Sequence, residues 1–298
     1  MTTFSLSNAA IRKIDRCVNS GDFALTFDDG PSLEFTSKVL DVLDKENVKA
    51  TFFINGMNTC DLKNDPEAAK LVKREFESGH VIASHTYSHP VNGITGLSDE
   101  ELTKEIQTLN DIIQELIGVK PAFFRPPLGE VTDANEVILE KTGMTADILW
   151  NLDSEDWNVQ YNATQQYYDL LKNADPKKDS FIALNHDIQK ITATKNLEIV
   201  IPYIKSLGFN FVTMDVCTGM NAYQDGATNP NIINNEISRN PISGNATDPN
   251  VIPSNSNTNS TNNDLFNLNN EKSGTMQTQS FTFALAFVLV LFNILFNN

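Results

Sequence analysis

Two adjacent carboxylates, Asp28 and Asp29, end an apolar run that predicts a β-strand, and Gly30-Pro31 follows them directly. Neighbouring side chains of a strand point to opposite faces, so one acid of such a pair would normally face an apolar interior. Because glycine and proline end the strand here, both acids are instead predicted to lie at its carboxyl end. There, one carboxylate could bind a cation while the other accepts protons, although these four residues also fit a plain turn.

Two histidines, His85 and His89, follow a second short apolar run, Val81–Ala83. Histidines four residues apart on a helix or turn can direct both imidazoles at one ion. With one carboxylate they provide three ligands and leave a position for water, which is the usual arrangement of a catalytic zinc site. An isolated pair also fits a solvated loop, and His80, which follows Gly79 and enters a strand, is interpreted as structural.

Three more apolar runs lead into charged or ring-bearing residues. The segments that follow them are Arg125–Gly129, Asp153–Trp157 and Asn185–Asp187. When several strands carry reactive residues at their carboxyl ends, the expected architecture is a parallel barrel with its site on that face. The five segments are therefore predicted to meet at one end of such a barrel.

Taken together, the five segments resemble the motifs of a known family. TFDDGP, the His85/His89 pair, RPPLG, DSEDW and the run Leu184–His186 are similar, in kind and order, to the five motifs of the polysaccharide deacetylases. These are carbohydrate esterases with the nodulation-type deacetylase homology domain, and within them the sequence looks most like a chitin deacetylase. The resemblance spans residues 15–218 and implies a metal-dependent hydrolase.

The resemblance implies a metal site and a base. Asp29, His85 and His89 would bind the divalent metal, for which imidazole and carboxylate ligands favour Zn²⁺, with Co²⁺ or Mn²⁺ as alternatives. Asp28 would be the general base that deprotonates the attacking water. Arg125 would hold Asp28 in place; taken alone, this arginine could belong to a surface ion pair.

The resemblance also implies an acid, because amide hydrolysis needs a protonated leaving nitrogen. His186 would protonate the leaving amine, and Asp153 would pair with His186 and raise its pKa. Histidine suits this role because a modest upward shift, supplied by a neighbouring carboxylate, keeps it protonated near neutral pH. Taken alone, His186 could instead be a core histidine that is hydrogen-bonded on a strand.

A substrate pocket completes what the resemblance implies. Trp157 and Leu184 would form the walls that receive the acetyl methyl, although Trp157 alone could be ordinary core packing. Pro127, Leu128 and Gly129 would bind substrate, with the backbone N–H of Leu128 at the oxyanion position. The family usually has an aromatic residue where Leu128 stands, so the shape of the pocket is expected to differ more than the chemistry.

The chain between the motifs predicts one barrel. Seven apolar, β-rich runs lie near residues 23–27, 50–54, 81–84, 122–125, 146–152, 180–185 and 209–214. Helix signals separate them: an apolar stripe at Phe35–Leu43, a cap at Asp65-Pro66, a capping box at Ser98 and Glu101, a stop at Gly118, and a last helix at Asn196–Leu207. Strands that alternate with helices pair in parallel, so the predicted fold is a distorted, TIM-barrel-like (β/α)7 barrel with one unit fewer than the common eight.

The amino-acid composition limits the classes of molecule that the protein is expected to bind. The 38 acidic and 22 basic residues give a net charge of −16, which argues against a nucleic-acid partner. An acidic surface suits a neutral or cationic glycan such as chitin or N-acetylglucosamine oligomers, and it also serves solubility. The protein is expected to be a monomer.

Three cysteines are present. Cys17 precedes the first predicted strand and Cys217 follows the last. Because closure of a barrel makes those two strands neighbours, a Cys17–Cys217 disulfide is predicted. Cys60 is left over as a structural or free thiol.

The chain changes character after residue 218. Residues 219–279 are rich in Asn, Ser, Thr, Pro and Gly and poor in aromatic residues, so they cannot bury a core and predict a disordered stalk. Glycosylation sequons begin at Asn162, Asn245 and Asn259. They favour a secreted glycoprotein.

Residues 280–298 predict an anchor. The hydrophobic run Phe281–Phe296 is shorter than the about 20 residues of a spanning helix. The small residues Ser273–Thr275, a polar spacer and this apolar tail match a GPI attachment signal, with a tail-anchored membrane helix as the alternative. Residues 1–14 show no secretory signal, so the N-terminus is expected to be incomplete or mis-started.

These observations predict an extracellular, metal-dependent chitin deacetylase, held at the cell surface or wall through a lipid anchor. The site would also cleave esters, so an acetylxylan O-deacetylase is one alternative. A wall-binding protein that has kept the fold but lost turnover is another, although all the expected catalytic residues are present. The substrate range, the metal in the cell and the oligomeric state stay open at this stage.

Overall fold

The computed structural model describes residues 11–227. Within that range the strands are β1 (Arg12–Ile14), β2 (Asp22–Asp28), β3 (Thr51–Ile54), β4 (Val81–Ser84), β5 (Phe123–Phe124), β6 (Ala146–Ile148), β7 (Leu152–Asp153), β8 (Phe181–His186) and β9 (Asn210–Val212). The α-helices are α1 (Thr36–Glu46), α2 (Pro66–Glu77), α3 (Asp99–Ile117), α4 (Asp133–Lys141), α5 (Ala163–Leu171), α6 (Leu197–Ser206) and α7 (Met214–Thr218). Strands and helices alternate for most of the described chain.

All these strands pair in parallel in one curled sheet. Their order is β1-β6-β5-β4-β3-β2-β8-β7, and β9 pairs with β2 beside β3. Every residue of β2 is buried, which explains its unbroken apolar run before the acid pair. The sheet and its helices confirm the predicted barrel-like (β/α)7 architecture, with the strand ends of the predicted motifs on one edge.

Two details of the sheet differ from the prediction. β1 was not predicted, because Arg12 and Lys13 break the apolar pattern of an edge strand that, among residues 11–227, pairs with β6 alone. The run predicted at 146–152 is two strands, β6 and β7. Between them the backbone changes partners: the N–H of Leu149 donates to Ile14 (2.7 Å) and that of Asn151 donates to Ile182 (3.2 Å). The chain thus crosses there from the β1 edge of the sheet to the β8 edge.

Caps confirm the predicted starts of α2 and α3 and the predicted end of α3, whereas the helix predicted as the last one, α6, is followed by the short helix α7. Asp65 accepts the backbone N–H groups of Glu67 (2.9 Å) and Ala68 (3.4 Å) at the start of α2. Ser98 and Glu101 form a reciprocal capping box at the start of α3, and Gly118 ends that helix at φ 80°. Each such cap satisfies backbone groups that the helix itself leaves without partners.

Phenylalanine rings dominate the core around β2. Phe27 stacks on Phe52 at 5.1 Å between centroids, and Phe23 lies 5.7 Å from Phe181. All but Phe181 are at most 1% exposed. Burial of one such side chain stabilises a fold by about 1.5–3 kcal/mol, so this cluster fixes the strands that carry the acid pair.

The predicted disulfide is confirmed. Cys17, just before β2, is bonded to Cys217 in α7, and their Cα atoms lie 4.5 Å apart. The pairing of β9 with β2 brings the two ends of the barrel together, as the prediction required. Cys60 is a free, half-buried thiol.

The remaining sequence predictions fall on other parts of the chain. Residues 1–10 and 228–298 lie outside the described residues, and with them the anchor segment and residues 228–279 of the predicted stalk. The prediction that the stalk begins at residue 219 is wrong, because Ala222 and Tyr223 are buried and the hydroxyl of Tyr223 accepts the backbone N–H of Ile82 at 3.1 Å. Within residues 11–227, no helix combines the length and the apolar character that a membrane crossing requires.

Candidate active site

The predicted site residues meet at the carboxyl ends of the strands. Asp28 is the last residue of β2, and it stands directly opposite His186, the last residue of β8. His85 follows β4 directly, and Arg125 follows β5. Because parallel strands end at the same edge, segments separated by up to 158 positions, such as Asp28 and His186, become neighbours.

Three of these residues form a compact cluster of ligand atoms. Asp29 Oδ1 lies 3.5 Å from His85 Nε2 and 3.3 Å from His89 Nε2. One ligand atom from each residue falls within 4.8 Å of the others, and among residues 11–227 this is the one group of three or more such residues that could hold a metal ion. The structure therefore brings together the three predicted metal ligands.

The surroundings of the cluster fit a metal ion. Asp29 Oδ1 is buried and has no hydrogen-bond partner among the described residues, although it faces both imidazoles. His85 Nδ1 lies 2.7 Å from the carbonyl oxygen of Arg125, so the ring donates its Nδ1–H there and keeps a lone pair on Nε2. Burial also lowers the pKa of His85, which favours the neutral ligand form.

The backbone at this cluster is held in unusual conformations. Asp29, Thr86 and His89 all have positive φ angles, of 78°, 72° and 47°. Such angles cost free energy in residues other than glycine and persist where surrounding contacts impose them. One of these contacts is the hydroxyl of Thr86, which accepts the N–H of His89 at 3.1 Å.

Arg125 holds the first acid of the pair, Asp28. Its guanidinium is fully buried, and Nη1 donates to Asp28 Oδ1 at 2.7 Å. The guanidinium also donates to the oxygens of Thr26, Ile148 and Leu149, and its Cζ atom lies 4.1 Å from the ring centre of Phe53. A buried pair with satisfied donors keeps Asp28 in one orientation, as predicted.

His186 is paired, but not with the predicted partner. Its Nδ1 lies 2.7 Å from Asp156 Oδ1, and its backbone N–H donates to Asp156 Oδ2 at 2.8 Å. The predicted pairing with Asp153 is therefore wrong. The segment Asp153–Trp157 turns at Glu155, where φ is 54°, and this turn carries Asp156 rather than Asp153 to the histidine.

The environment of His186 favours its charged form. Burial of the ring acts to lower its pKa, but the charge and hydrogen bond of Asp156 outweigh burial and raise the pKa to about 10. Thr192 helps to hold Asp156, because its hydroxyl donates to Oδ2. A protonated histidine at neutral pH is what a general acid needs.

Asp153 has a different role. Its Oδ1 accepts the N–H of Glu155 at 2.8 Å, which shapes the turn that delivers Asp156. Burial raises the pKa of Asp153, while the nearby charge of His186 opposes that effect. Asp153 thus supports the position of His186's partner.

The predicted pocket residues lie around the same strand ends. Leu184 is buried, and Trp157 is 40% exposed. Pro127 is buried, whereas Leu128 is exposed and has φ 65°. Gly129 packs against Trp150, so closely that an added Cβ would come within 2.9 Å of the indole ring.

Sequence reasoning missed the roles of Asp156 and Thr192. Asp156 lies inside the DSEDW segment, where three acids compete for one histidine and spacing alone does not decide between them. Thr192 lies in a short π-helical turn, Thr192–Asn196, which no sequence signal marked. Such turns are frequent at functional sites.

Comparison with known proteins agrees with this geometry. A family model described as polysaccharide deacetylase matches residues 15–146. A peptidoglycan-N-acetylglucosamine deacetylase of Bacillus cereus is 36% identical over 66% of this chain and 68% of its own. The chain belongs to the polysaccharide deacetylase family. Members of this family remove acetyl groups from polysaccharides by hydrolysis and use a divalent metal, for which Asp29, His85 and His89 form the candidate site in this structure.

Two further matches show how far the similarity extends. A peptidoglycan-N-acetylglucosamine deacetylase of Listeria monocytogenes is 36% identical over 72% of this chain, but the match covers only 42% of that protein. The chain therefore spans less than half the length of this relative. The structure of the chitin deacetylase from the fungus Colletotrichum lindemuthianum superimposes with a TM-score of 0.67 at 28% identity, covering 74% of this chain and 98% of that one.

Proposed function

We propose that this polysaccharide deacetylase removes acetyl groups from N-acetylglucosamine polymers, with chitin as its substrate, and releases acetate. One observation carries the proposal. Two side-chain pairs, one that can take up a proton and one that can donate a proton, lie at the same strand ends as the metal-ligand cluster. Asp28 with Arg125 is a fixed base, and His186 with Asp156 is a fixed acid. The match to the fungal chitin deacetylase supports chitin as the polymer.

Asp28 is the proposed general base of the reaction. Asp29, His85 and His89 would hold a divalent metal, which when bound supplies a Lewis acid for the acetyl oxygen and lowers the pKa of water. Asp28 takes a proton from the water that attacks the acetyl carbon. Arg125 occupies Oδ1 of Asp28, so the proton goes to Oδ2, which faces His85 Nε2 at 3.8 Å.

His186 is the proposed general acid of the reaction. Its Nδ1–H is bound to Asp156, so the Nε2–H is the proton that can be donated. His186 gives this proton to the amide nitrogen as the bond between the acetyl carbon and that nitrogen breaks. The oxygen of water stays on the acetyl carbon, so the products are acetate and a glucosamine unit. General acid–base steps of this kind each contribute about 10²- to 10⁴-fold in rate.

We propose zinc as the metal, with Co²⁺ or Mn²⁺ as replacements. Two neutral imidazoles and one carboxylate suit zinc, and they also accept these neighbouring metals. The test is to remove metal from the purified protein with a chelator and to add back each ion separately. Recovery of acetate release with zinc at equimolar concentration supports the proposal, and recovery with Mg²⁺ alone contradicts it.

The decisive experiment measures acetate released from chitin pentamer by the full-length chain. Wild-type protein with zinc should release acetate, and both chelator treatment and Asp28→Asn should abolish the release. Asp111→Asn is the matched control, because Asp111 is also paired with a cation, Lys120, but is exposed on α3 and is not one of the predicted site residues. Full activity of Asp28→Asn would overturn the assignment of the base.

Peptidoglycan is the second candidate substrate. Relatives named for peptidoglycan N-acetylglucosamine match this chain at 36% identity, which favours a polymer of the same sugar with peptide branches. Parallel assays on chitin oligomers and on peptidoglycan glycan strands separate the two substrates. Release from acetylxylan alone would favour an O-deacetylase. Zinc-loaded protein that binds chitin without release would favour a wall-binding protein.

We propose further that the protein acts at the cell surface or wall and is held to the membrane by its C-terminal segment. The hydrophobic run Phe281–Phe296 and the sequons at Asn245 and Asn259 support this proposal. Expression in a eukaryotic host, followed by a phospholipase that cleaves GPI anchors, should release active protein from intact cells. Retention after treatment would favour a membrane helix instead.

A further inference from the structure

One buried carboxylate has no part in the mechanism above. Asp187 follows His186 at the end of β8 and is fully buried. Its Oδ1 has no hydrogen-bond partner among the described residues, while Oδ2 accepts the hydroxyl of Thr36 at the start of α1. A carboxylate in such a place costs free energy unless its contacts offset the loss of water, so those contacts indicate what it is there to hold.

The contacts of Asp187 lead to the loop that carries Asp29. Gly30 packs directly on the carboxylate, so closely that a Cβ on Gly30 would come within 2.2 Å of Oδ2. Thr36 uses its hydroxyl proton on Asp187, and the same oxygen accepts the N–H of Ser32 at 2.7 Å. Asp187 therefore holds the loop by packing at Gly30 and, through Thr36, by a hydrogen bond at Ser32.

The other side of this loop is also fixed. The N–H of Asn55 donates to the carbonyl oxygen of Gly30 at 2.9 Å. Gly30 is thus clamped between Asn55 and Asp187, and the residue before it is Asp29 at φ 78°. An unfavourable backbone angle of this kind persists only where its surroundings impose it, and Asp187 with Thr36 makes up one half of those surroundings.

We propose that Asp187 is a positioning residue for the metal ligand Asp29, acting through Gly30 and through Thr36. Asp28 and His186 face each other in the β2–β8 pairing, so the residues that follow them, Asp29 and Asp187, leave adjacent strand ends. Asp187 thereby connects β8, which carries the proposed proton donor His186, to the loop that carries the proposed metal ligand Asp29. The inference rests on the proposed metal site, but not on the identity of the substrate.

The test is the zinc affinity of the full-length protein, measured by competition with a chromophoric chelator. Thr36→Val keeps the shape of the side chain but removes the hydroxyl, so we expect the zinc dissociation constant to rise about tenfold or more, as for other residues that orient metal ligands. Thr36→Ser keeps the hydroxyl and should restore affinity to within about threefold of wild type. Asp187→Ala should weaken binding as well, and Asp187→Asn, which keeps an acceptor oxygen, should recover most of the loss.

Thr218→Val is the matched control. Thr218 is buried like Thr36, and its hydroxyl also donates to an oxygen, that of Met214 at 2.7 Å with Asp215 at 3.5 Å, and accepts the N–H of Met220. This variant should bind zinc as wild type does. If Thr36→Val binds zinc within twofold of wild type, or if Thr218→Val weakens binding equally, the inference is wrong.

The failure of this inference and that of the proposed function give different results. Wild-type protein that binds no zinc contradicts the metal site itself. Wild-type protein that binds zinc, with variants that bind it equally well, contradicts only the role of Asp187. If Asp187→Ala does not fold, as judged by circular dichroism, the Thr36→Val and Thr36→Ser pair decides the question.

Discussion

At the scale of single residues, the site depends on which carboxylate pairs with which nitrogen-bearing side chain. Three acids lie in the segment Asp153–Trp157, and only Asp156 bonds His186. The sequence prediction gave the pairing with His186 to Asp153, whereas in the structure Asp156 pairs with His186 and Asp153 shapes the turn that delivers Asp156. Substitution of each acid should have a different effect on the pH profile.

Asp156→Asn should move the alkaline limb of the activity profile to lower pH. Because Asp156 raises the pKa of His186 to about 10, His186 is protonated and competent at neutral pH, and activity falls only as pH rises through that value. Loss of the Asp156 charge lowers the pKa, so the fall should begin at lower pH. The kcat at neutral pH should fall about 10²-fold or more. The measurement is kcat against pH on chitin pentamer.

The comparison variant is Asp153→Asn. Asp153 makes no hydrogen bond to the histidine ring, so its substitution should shift the alkaline limb much less. If Asp153→Asn produces the larger shift, the pairing described here does not govern the proton donor.

Arg125 provides a prediction about stability. Arg125→Met removes the buried partner of Asp28 and leaves a carboxylate that is 3% exposed without its cation. Breaking a buried ion pair from one side typically costs about 3–5 kcal/mol in the free energy of unfolding. Urea unfolding measures this cost.

Arg74→Met is the control for Arg125. Arg74 also pairs with carboxylates, Asp41 and Asp44, but on the surface, where such pairs contribute about 0–1 kcal/mol. Equal losses in the two variants would contradict the view that burial makes the Arg125 pair important.

At the scale of elements, the sequence predicted the parts whose signals are local. β2, β3, β4 and β8 appear as buried apolar runs, and the caps of α2 and α3 were marked by Asp65 and Ser98. The strand β1 and the break between β6 and β7 depend on partners distant in the chain, so no local pattern marks them. Asp29, His85 and His89 lie in local motifs, so the sequence marked them. Thr36 and Thr192 matter through partners distant in the chain, so the sequence did not mark them.

The loop after β5 provides a prediction at this scale. Gly129 has φ 74°, and an added Cβ would meet Trp150 at 2.9 Å. Gly129→Ala should therefore shift the neighbouring Leu128 and Pro127 and reduce kcat/KM on chitin pentamer at least about tenfold, because misplacement by about 1 Å can cost about 10²-fold.

Gly118→Ala controls for the backbone angle. Gly118 has a similar φ of 80°, but a Cβ there would meet open space. Both variants carry the cost of a left-handed angle, about 1–2 kcal/mol, but only Gly129→Ala should lose activity. If both lose activity equally, general destabilisation rather than displacement of the loop is the cause.

At the scale of the whole molecule, closure of the barrel joins the two ends of the described chain. β9 pairs with β2, and the Cys17–Cys217 disulfide crosses the same junction with a sequence separation of 200 residues. The Leu149–Asn151 crossing connects the β1 and β8 edges of the sheet on the other side. The site therefore depends on contacts between segments that are far apart in sequence, and a covalent bond holds one of these contacts.

The double variant Cys17→Ser/Cys217→Ser should lower the free energy of unfolding by about 2–5 kcal/mol, because a bond that closes a long loop restricts the unfolded chain most. Urea unfolding measures this loss, and intact mass shows two hydrogens fewer in the wild type than in its reduced form. Cys60→Ser is the control, since Cys60 is a free, half-buried thiol that donates a hydrogen bond to the carbonyl oxygen of Pro31, and it should change stability by less than about 1 kcal/mol. Zinc affinity should persist in the folded double variant, because Asp29, His85 and His89 lie at the opposite, carboxyl ends of the strands from Cys17. Loss of zinc binding in protein that is still folded would show that the junction positions the site as well as stabilising the barrel.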